Sequence, residues 1–232
     1  MENLILSNIE LYYSSSYNLK SQIITIDSDE SSHILNVMRH RMNDEIYITN
    51  GTGKIFKSQI VQINKKNIDA KILNEFKFEE RFPNITFCIP MLRNNERLEY
   101  ALEKCTELGV TNFIIYKAKR SVPKKVNLVR VEKILLAAMK QSLLSWLPKI
   151  RYVGSMDELT QFDGEKIIFE QSSNNYFSRD KINSKMNYLF IFGPEGDFTA
   201  DELDSLKSSV KYKLAENRLR TETAIIKVAA LL

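Results

Sequence analysis

The spacing of apolar residues changes once along this chain, close to Pro83. Before that point, apolar and polar residues alternate in short runs separated by turn residues, as in β-strands. After it, short apolar runs alternate with stretches in which apolar residues recur every three or four positions, as in helices. A chain of 232 residues has room for two small domains, and the two patterns predict that they differ in architecture.

The first part is predicted to be a small β-domain over residues 1–74, followed by a linker over 75–84. Ile46 and Ile48 alternate with other residues, and Asn50-Gly51 directly after this run is a strong signal for a hairpin turn. Several short strands joined by tight turns favour a β-barrel or sheet. The predicted strands are 45–49, 55–63 and 68–72.

Residues 85–232 are predicted to form an α/β domain with a largely parallel sheet. Gly109 supplies a stop for the first helix, and Thr199 and Glu202 have the spacing of a capping box. The last helix ends in apolar residues, which must be covered by the domain or by a second subunit. The predicted strands are 85–90, 113–116, 166–170 and 188–192, and the predicted helices are 93–108, 128–143 and 223–232.

The composition argues against a secreted or membrane protein. The two cysteines, Cys88 and Cys105, lie in apolar or amphipathic runs and cannot form a disulfide framework, which fits a reducing compartment. The first residues lack a positively charged start with a long apolar stretch, and no window holds the 18 apolar residues of a membrane span. We therefore expect a cytoplasmic protein with no membrane partner.

Four familiar signatures of functional sites are incomplete or missing. The sequence GTGK at 51–54 resembles the end of a phosphate-binding loop, but Ile48 and Ile55 stand where that motif needs Gly and Ser or Thr, so a hairpin turn is predicted. His33 and His40 are the only histidines and have no third ligand near them, so no metal site is expected. No GxSxG or GxGxxG sequence occurs.

Positive charge is concentrated in one segment. The net charge is only +4, but residues 117–151 carry ten basic side chains and a single acidic one, Glu132. A concentration of one sign is what a surface that follows RNA or DNA phosphates needs. A solvated lysine-rich face is the alternative interpretation.

Two polar segments lie where open α/β sheets bind ligands, beyond the carboxyl ends of strands that we expect to be adjacent. In the first, 192–198, Gly193 and Gly196 allow the backbone to approach a ligand closely, and Pro194 stiffens the loop. The second, 214–224, sets an arginine and a glutamate directly before the last helix. An ordinary turn and simple helix caps are the alternative interpretations.

Six groups of residues along the chain, taken together, form a specific pattern. They are Val37-Met38-Arg39 with Asn43-Asp44; Lys104-Cys105-Thr106-Glu107-Leu108-Gly109-Val110; Arg120-Ser121-Val122; Gln141-Ser142 with Leu147-Pro148-Lys149-Ile150; Gly193-Pro194-Glu195-Gly196; and Leu219-Arg220-Thr221-Glu222-Thr223-Ala224. In this order and spacing they resemble the RsmE family of 16S rRNA (uracil-N3)-methyltransferases, of the SPOUT class. The resemblance covers nearly the whole chain.

The resemblance implies a PUA-like β-barrel at the N-terminus and a trefoil-knotted SPOUT domain that forms a homodimer. It also implies S-adenosylmethionine as cofactor and 16S rRNA or the 30S subunit as substrate. The implied cofactor-binding residues are Phe169, Glu170, Phe192, Gly193, Pro194, Glu195, Gly196, Leu214, Ala215, Leu219 and Thr223. The RNA-binding residues predicted from the charge pattern together with the resemblance are Arg39, Arg41, Arg120, Lys124 and Lys125.

The chemistry of the implied reaction points to catalytic candidates. N3 of uracil carries a proton at neutral pH, so the proton must leave and the resulting anion must be held in line with the methyl group. Arg220 is the candidate cation, because a guanidinium can donate to the uracil oxygens as negative charge develops. Glu195 and Glu222 are candidates either for proton acceptor or for partners of Arg220, and both assignments stay open.

The chain departs from the family pattern at four positions. Asp197 replaces a second glycine, Ala215 stands where glycine is usual, and Asn217 and Leu144 stand where arginine is usual. Two alternatives follow for the function. One is a non-catalytic rRNA-binding homologue, and the other is a SPOUT methyltransferase with a different RNA target.

Overall fold

The computed structural model describes residues 9–18, 20–121 and 126–232, which form two compact units. The N-terminal unit comprises Met1–Glu80 together with Met139–Leu147. The C-terminal unit comprises Arg81–Ala138 and Pro148–Leu232. A segment from the second half of the sequence therefore belongs to the first unit, which the linear pattern of apolar residues does not reveal.

The N-terminal unit is built on a mixed six-stranded sheet, which confirms the predicted β-domain. Its strands are β1 Leu11–Tyr13, β2 Tyr17–Asn18, β3 Ile23–Ile26, β4 Glu45–Thr49, β5 Lys54–Ile63 and β6 Ile68–Lys77. They are arranged in the order β1-β4-β5-β6-β3-β2. Helix α1, Ser28–Ser32, and a π-helical turn, His33–Val37, connect β3 to the rest of the sheet. Ile46, Ile48 and Ile60 are buried in its core.

The hairpin predicted at Asn50-Gly51 is confirmed, since β4 and β5 pair antiparallel with Thr49 opposite Ile55. Gly51 and Gly53 have φ values of 71° and 87°, a conformation that favours glycine. A Cβ atom on Gly53 would lie 2.6 Å from the ring of Trp146, whose indole nitrogen donates to the carbonyl oxygen of Phe78 at 3.0 Å. The tryptophan thus fastens residues 139–147 to this hairpin.

Strand β6 ends at Lys77, five residues beyond the predicted end at residue 72. The predicted strand ends where the apolar run ends, but the backbone pairing with β5 continues to Lys77, which lies opposite Lys54. The last residues of β6 are in the strand because their backbone pairs with β5, although most of their side chains are exposed. Residues 75–77 of the predicted linker are therefore part of a strand.

The C-terminal unit has a six-stranded sheet in which every neighbouring pair is parallel, as predicted. The order is β12-β10-β11-β7-β8-β9. Its strands are β7 Ile85–Pro90, β8 Asn112–Tyr116, β9 Lys149–Val153, β10 Glu165–Phe169, β11 Tyr188–Phe192 and β12 Val210–Tyr212. Its helices are α2 Asn95–Glu107, α3 Leu128–Gln141, whose last residues belong to the N-terminal unit, α4 Asp157–Thr160, α5 Ala200–Ser205 and α6 Thr221–Leu231, with a 3-10 turn at Arg179–Lys181.

Strands β9 and β12, which are not among the predicted strands, lie at the two edges of this sheet. An edge strand is covered less than a central one, so neither carries the continuous apolar run that marks the central strands. The capping box is confirmed, because Thr199 and Glu202 exchange hydrogen bonds at the start of α5.

Helix α2 shows how local chemistry sets the bounds of an element. The Asn94 side chain accepts a hydrogen bond from the Glu96 backbone, so the helix begins at residue 95 and not at the predicted residue 93. The helix ends at Glu107, shortly before Gly109, whose φ of 96° is a conformation that favours glycine. Cys105 and Cys88 are both buried, which confirms that they are core residues, and burial raises the pKa of both thiols well above the usual range. Among the described residues, no helix is long and apolar enough to cross a membrane.

Candidate functional site

A cavity of about 590 Å³ lies in the C-terminal unit, beyond the carboxyl ends of β10, β11 and β12. Phe169 ends β10, Phe192 ends β11, and Leu214 follows β12. The expectation that the two polar loops follow adjacent strands is wrong, because β10 lies between β11 and β12. The segments that follow three neighbouring strands therefore meet at the cavity.

One wall of the cavity is aromatic. The rings of Phe169 and Phe192 stack at 4.9 Å with an interplanar angle of 18°. The carbonyl oxygen of Phe192 accepts a hydrogen bond of 2.5 Å from the buried hydroxyl of Tyr116. That contact fixes the end of β11, from which the next loop departs.

The loop 193–198 turns at Asp197, whose φ is 63° and whose N–H donates to the carbonyl oxygen of Pro194 at 3.0 Å. Asp tolerates this left-handed conformation better than most residues. The guanidinium of Arg120 donates to the carbonyl oxygen of Gly196 at 2.8 Å. Arg120, predicted to contact RNA, thus also supports the loop from behind.

The loop after β12 is held at both ends. The amide nitrogen of Gln171 donates to the carbonyl oxygens of Ala215 and Glu216 at 3.0 and 2.9 Å. The hydroxyl of Thr221, at the start of α6, donates to the carbonyl oxygen of Gly193 at 3.2 Å. These side-chain contacts join the three segments around the cavity.

Two carboxylates and one guanidinium stand together in the lining. Nη1 of Arg97 lies 3.3 Å from Oε1 of Glu195, and Nε of Arg97 lies 3.6 Å from Oε1 of Glu222. The second oxygen of Glu195 accepts the backbone N–H of Arg93 at 3.1 Å. The second oxygen of Glu222 is buried and has no hydrogen-bond partner among the described residues. The side chain of Glu222 is only 13% exposed.

Two further arginines, Arg218 and Arg220, line the cavity and are exposed to solvent. A second, open cleft of about 550 Å³ is lined by Arg93, Asn94, Glu96, Arg97 and Glu195. The two cavities share the Arg97–Glu195 ion pair.

The structure brings most of the predicted site residues together. The lining includes the three catalytic candidates, Arg220, Glu222 and Glu195, with Phe169, Glu170, Phe192, Gly193, Pro194, Leu214 and Leu219. The remaining predicted residues, Gly196, Ala215 and Thr223, lie beside lining residues but are not part of the lining.

Two residues at the site, Arg97 and Gln171, are not among those predicted from the sequence. Arg97 lies in the first turn of α2, more than ninety residues before its two acidic partners, and the helical spacing around it carries no sign of a ligand. Gln171 follows the predicted strand ending at Glu170, but a single glutamine in a polar run gives no signal.

The predicted RNA-binding residues are spread over the chain. Arg39 and Arg41 are exposed in the N-terminal unit, and Arg39 has a φ of 61°. Lys124 and Lys125 lie outside the described residues. Other basic residues of 117–151 are paired with acidic residues from distant parts of the sequence, which a count along the chain cannot see. The pairs are Lys119–Asp201, Arg130–Glu99 and Lys140–Glu30.

Comparison with known proteins shows what this chain is similar to. Residues 79–232 match the model of an RNA methyltransferase domain, and residues 26–73 match the model of an RNA methyltransferase PUA domain. The ribosomal RNA small subunit methyltransferase E of Bacillus subtilis is 30% identical over 218 residues, which cover 86% of this chain and 85% of that protein.

The chain belongs to the ribosomal RNA small subunit methyltransferase E family. The resemblance to the RsmE family is thereby confirmed, as is the combination of a PUA-like β-domain with a parallel-sheet α/β domain.

Solved structures agree with the family assignment. An RsmE-family protein, the ribosomal RNA small subunit methyltransferase E of Neisseria gonorrhoeae bound to S-adenosyl methionine, is 25% identical. It has a TM-score of 0.81 over 96% of this chain and 95% of that one. A probable rRNA methyltransferase from Porphyromonas gingivalis is 27% identical, with a TM-score of 0.82 over 96% of each chain.

Proposed function

We propose that this chain transfers the methyl group of S-adenosylmethionine to N3 of a uridine in 16S rRNA. The observation that carries the proposal is the cavity at the carboxyl edge of the parallel sheet, where stacked aromatic rings, two carboxylates and arginines meet. Membership of the RsmE family supports the reaction class, and the names of the relatives support rRNA as substrate.

The residues present fit the cofactor. A cavity of about 590 Å³ is within the usual range for a small-molecule site. Phe169 and Phe192 offer an apolar wall for a purine ring, and Gly193 also lines the cavity. Glu195 and Glu222 place two carboxyl groups in the lining, which suit a cationic ligand. When bound, the cofactor supplies an electrophilic methyl group on a sulfonium.

Glu222 is the better candidate for proton acceptor of the two carboxylates. Both oxygens of Glu195 already accept contacts, one from the Arg97 guanidinium and one from the Arg93 backbone. Glu222 keeps one buried oxygen without a partner among the described residues, and it is nearly enclosed by protein. A general base needs a lone pair free to take the N3 proton. Glu195 then serves to hold the start of α2.

Arg220 is the candidate for stabilising the uracil anion. It lines the cavity beside Glu222, is exposed, and has no hydrogen bond or ion pair with any other described side chain. Its guanidinium is therefore free to donate to the oxygens that flank N3 as charge develops. Exposed Arg39 and Arg41 of the PUA-like unit, together with Lys124 and Lys125, provide positive charge for phosphate contacts.

The same proposal includes a homodimer, a trefoil knot in the C-terminal unit and a cytoplasmic location. Leu231, at the end of α6, is 38% exposed although the helix buries Ile225, Val228 and Ala229 in its own domain. A second subunit would cover such an end. Light scattering on the purified protein tests the dimer directly, and a monomer at micromolar concentration contradicts it.

The function is tested by incubating the purified protein with labelled S-adenosylmethionine and 30S subunits from a strain that lacks this methylation. Digestion to nucleosides and mass spectrometry identify the product, and 3-methyluridine supports the proposal. Label on another nucleoside or only on another RNA indicates a methyltransferase with a different target. If no RNA is labelled and calorimetry shows no cofactor binding, the protein is a non-catalytic rRNA-binding homologue.

A further inference from the structure

Arg97 is the one described residue that contacts both candidate carboxylates. It projects from the first turn of α2, with 3.3 Å between Nη1 and Glu195 Oε1 and 3.6 Å between Nε and Glu222 Oε1. Its partners come from the loop after β11 and from the first turn of α6. A single side chain thus links three separate segments at the edge of the cavity.

Two ionised carboxylates that face the same space repel each other, and a cation that contacts both offsets this repulsion. A guanidinium is suited to this position because its donors point in fixed directions and can meet two carboxylates at once. A lysine ammonium offers a single charged point on a flexible stem. The contacts of Arg97 use this property, since different nitrogens of the group face the two glutamates.

We infer that Arg97 is a positioning residue for the methyl transfer: through its contact with Oε1 it fixes the Glu222 carboxylate at the edge of the cavity, and it holds Glu195 on a different nitrogen. This inference rests on the proposed function of Glu222 as proton acceptor. Arg97 acts through the glutamates and needs no contact with the substrate. Its loss therefore lowers kcat and leaves the affinity for S-adenosylmethionine almost unchanged.

Arg93 provides a matched control. It precedes the same helix and carries the same charge, but only its backbone N–H contacts Glu195, so Arg93→Ala keeps that contact. At saturating RNA and cofactor, we expect Arg97→Ala to lower kcat at least about tenfold, Arg97→Lys to recover part of the loss, and Arg93→Ala to stay within about threefold of wild type. Equal kcat values for Arg97→Ala and Arg93→Ala overturn the inference.

A double-mutant cycle separates action through the glutamates from direct contact with RNA. Arg97→Ala should lower kcat by a smaller factor in the Glu195→Gln background than in wild type, because the ion pair between Arg97 and Glu195 is already lost there. The same factor in both backgrounds shows that Arg97 does not act through Glu195 and overturns the inference.

Thermal unfolding gives a readout that needs no activity. The melting temperatures of Arg97→Ala, Glu222→Gln and the double variant should deviate from additivity by about 2 °C or more, whereas the same cycle with Arg93→Ala should be additive. Additive melting temperatures for Arg97 overturn the positioning role even if the wild-type protein transfers no methyl group. An inactive wild type with coupled melting temperatures refutes only the proposed function.

Discussion

The hydroxyl of Thr221 donates a hydrogen bond to the carbonyl oxygen of Gly193, at 3.2 Å. The two residues are 28 positions apart: Gly193 lies in the loop after β11, and Thr221 lies in the first turn of α6. Both line the cavity. The hydrogen bond therefore joins the two segments that carry the catalytic candidates, and it fixes the backbone of Gly193 where a ligand would meet it.

Thr221→Val should weaken binding of S-adenosylmethionine about two- to tenfold, because it keeps the shape of the side chain and removes one hydrogen bond that orders the loop. Isothermal titration calorimetry measures the change. Thr160→Val is the control, since its hydroxyl also donates to a backbone carbonyl, that of Asp157, in a helix that contributes nothing to the cavity. Equal affinities for both variants and wild type would show that this bond does not order the site.

Glu222→Gln and Glu195→Gln should have unequal effects on turnover. The first removes the proposed proton acceptor and should lower kcat at least about a hundredfold. The second weakens a contact with Arg97 and should lower kcat less than about tenfold. Single-turnover methylation of 30S subunits measures both. A larger loss for Glu195→Gln would reverse the assignment of the two carboxylates.

Arg220→Ala should lower turnover at least about a hundredfold and leave the affinity for S-adenosylmethionine within about tenfold of wild type, because its proposed contact forms as negative charge develops on the base. Arg220→Lys keeps the positive charge but lacks the forked donors of a guanidinium, so its turnover should lie between those of Arg220→Ala and wild type. Kinetics at saturating RNA, with calorimetry for the cofactor, separate the effects. A fully active Arg220→Ala variant contradicts this role.

The parts of the fold that follow from local pattern could be predicted from the sequence. β4, β7 and β11 have the predicted bounds because each is a compact apolar or alternating run closed by turn or loop residues. The edge strands β9 and β12 could not be predicted from the sequence, because they lack such an apolar or alternating run. The grouping of residues 139–147 with the N-terminal unit depends on Trp146 meeting a hairpin far away in sequence.

The candidate site shows the same division. Loop 192–198 stands out by its glycines and loop 214–224 by its charges; both follow strands, and both reach the cavity. Arg97 and Gln171 do not stand out, because their importance comes from partners that only folding brings near. In the basic segment 117–151, Lys119, Arg130 and Lys140 pair with acidic residues within the protein, which a count of charges along the chain does not reveal.

Asp197 has a left-handed backbone, with φ 63°, in the loop that lines the cavity. A β-branched residue tolerates that conformation poorly, so Asp197→Val should lower the free energy of unfolding by about 1–2 kcal/mol. Asp197→Gly should stay within about 1 kcal/mol of wild type, because glycine adopts the conformation freely. Urea denaturation measures both, with Asp163→Val, at an exposed position without positive φ, as the control. Equal losses for Asp197→Val and Asp163→Val would contradict a backbone origin.

Tyr12 should make the protein lose stability at high pH. Burial, with negative charge from Glu10 and Glu30, raises its pKa to about 12 from an ordinary value of 10. Above pH 10 the unfolded chain releases the phenolic proton while the folded chain retains it, so stability is intact below pH 10 and falls as the pH rises toward 12.

The Tyr12 hydroxyl is also buried without a hydrogen-bond partner among the described residues, so its removal leaves no other group unsatisfied. Tyr12→Phe should therefore be at least as stable as wild type at pH 7, and it should lose less of its stability between pH 10 and pH 12. Denaturation curves at several pH values, with the exposed Tyr100→Phe as control, measure the difference. Parallel losses in wild type and Tyr12→Phe would show that another group titrates, because only the hydroxyl distinguishes the two proteins.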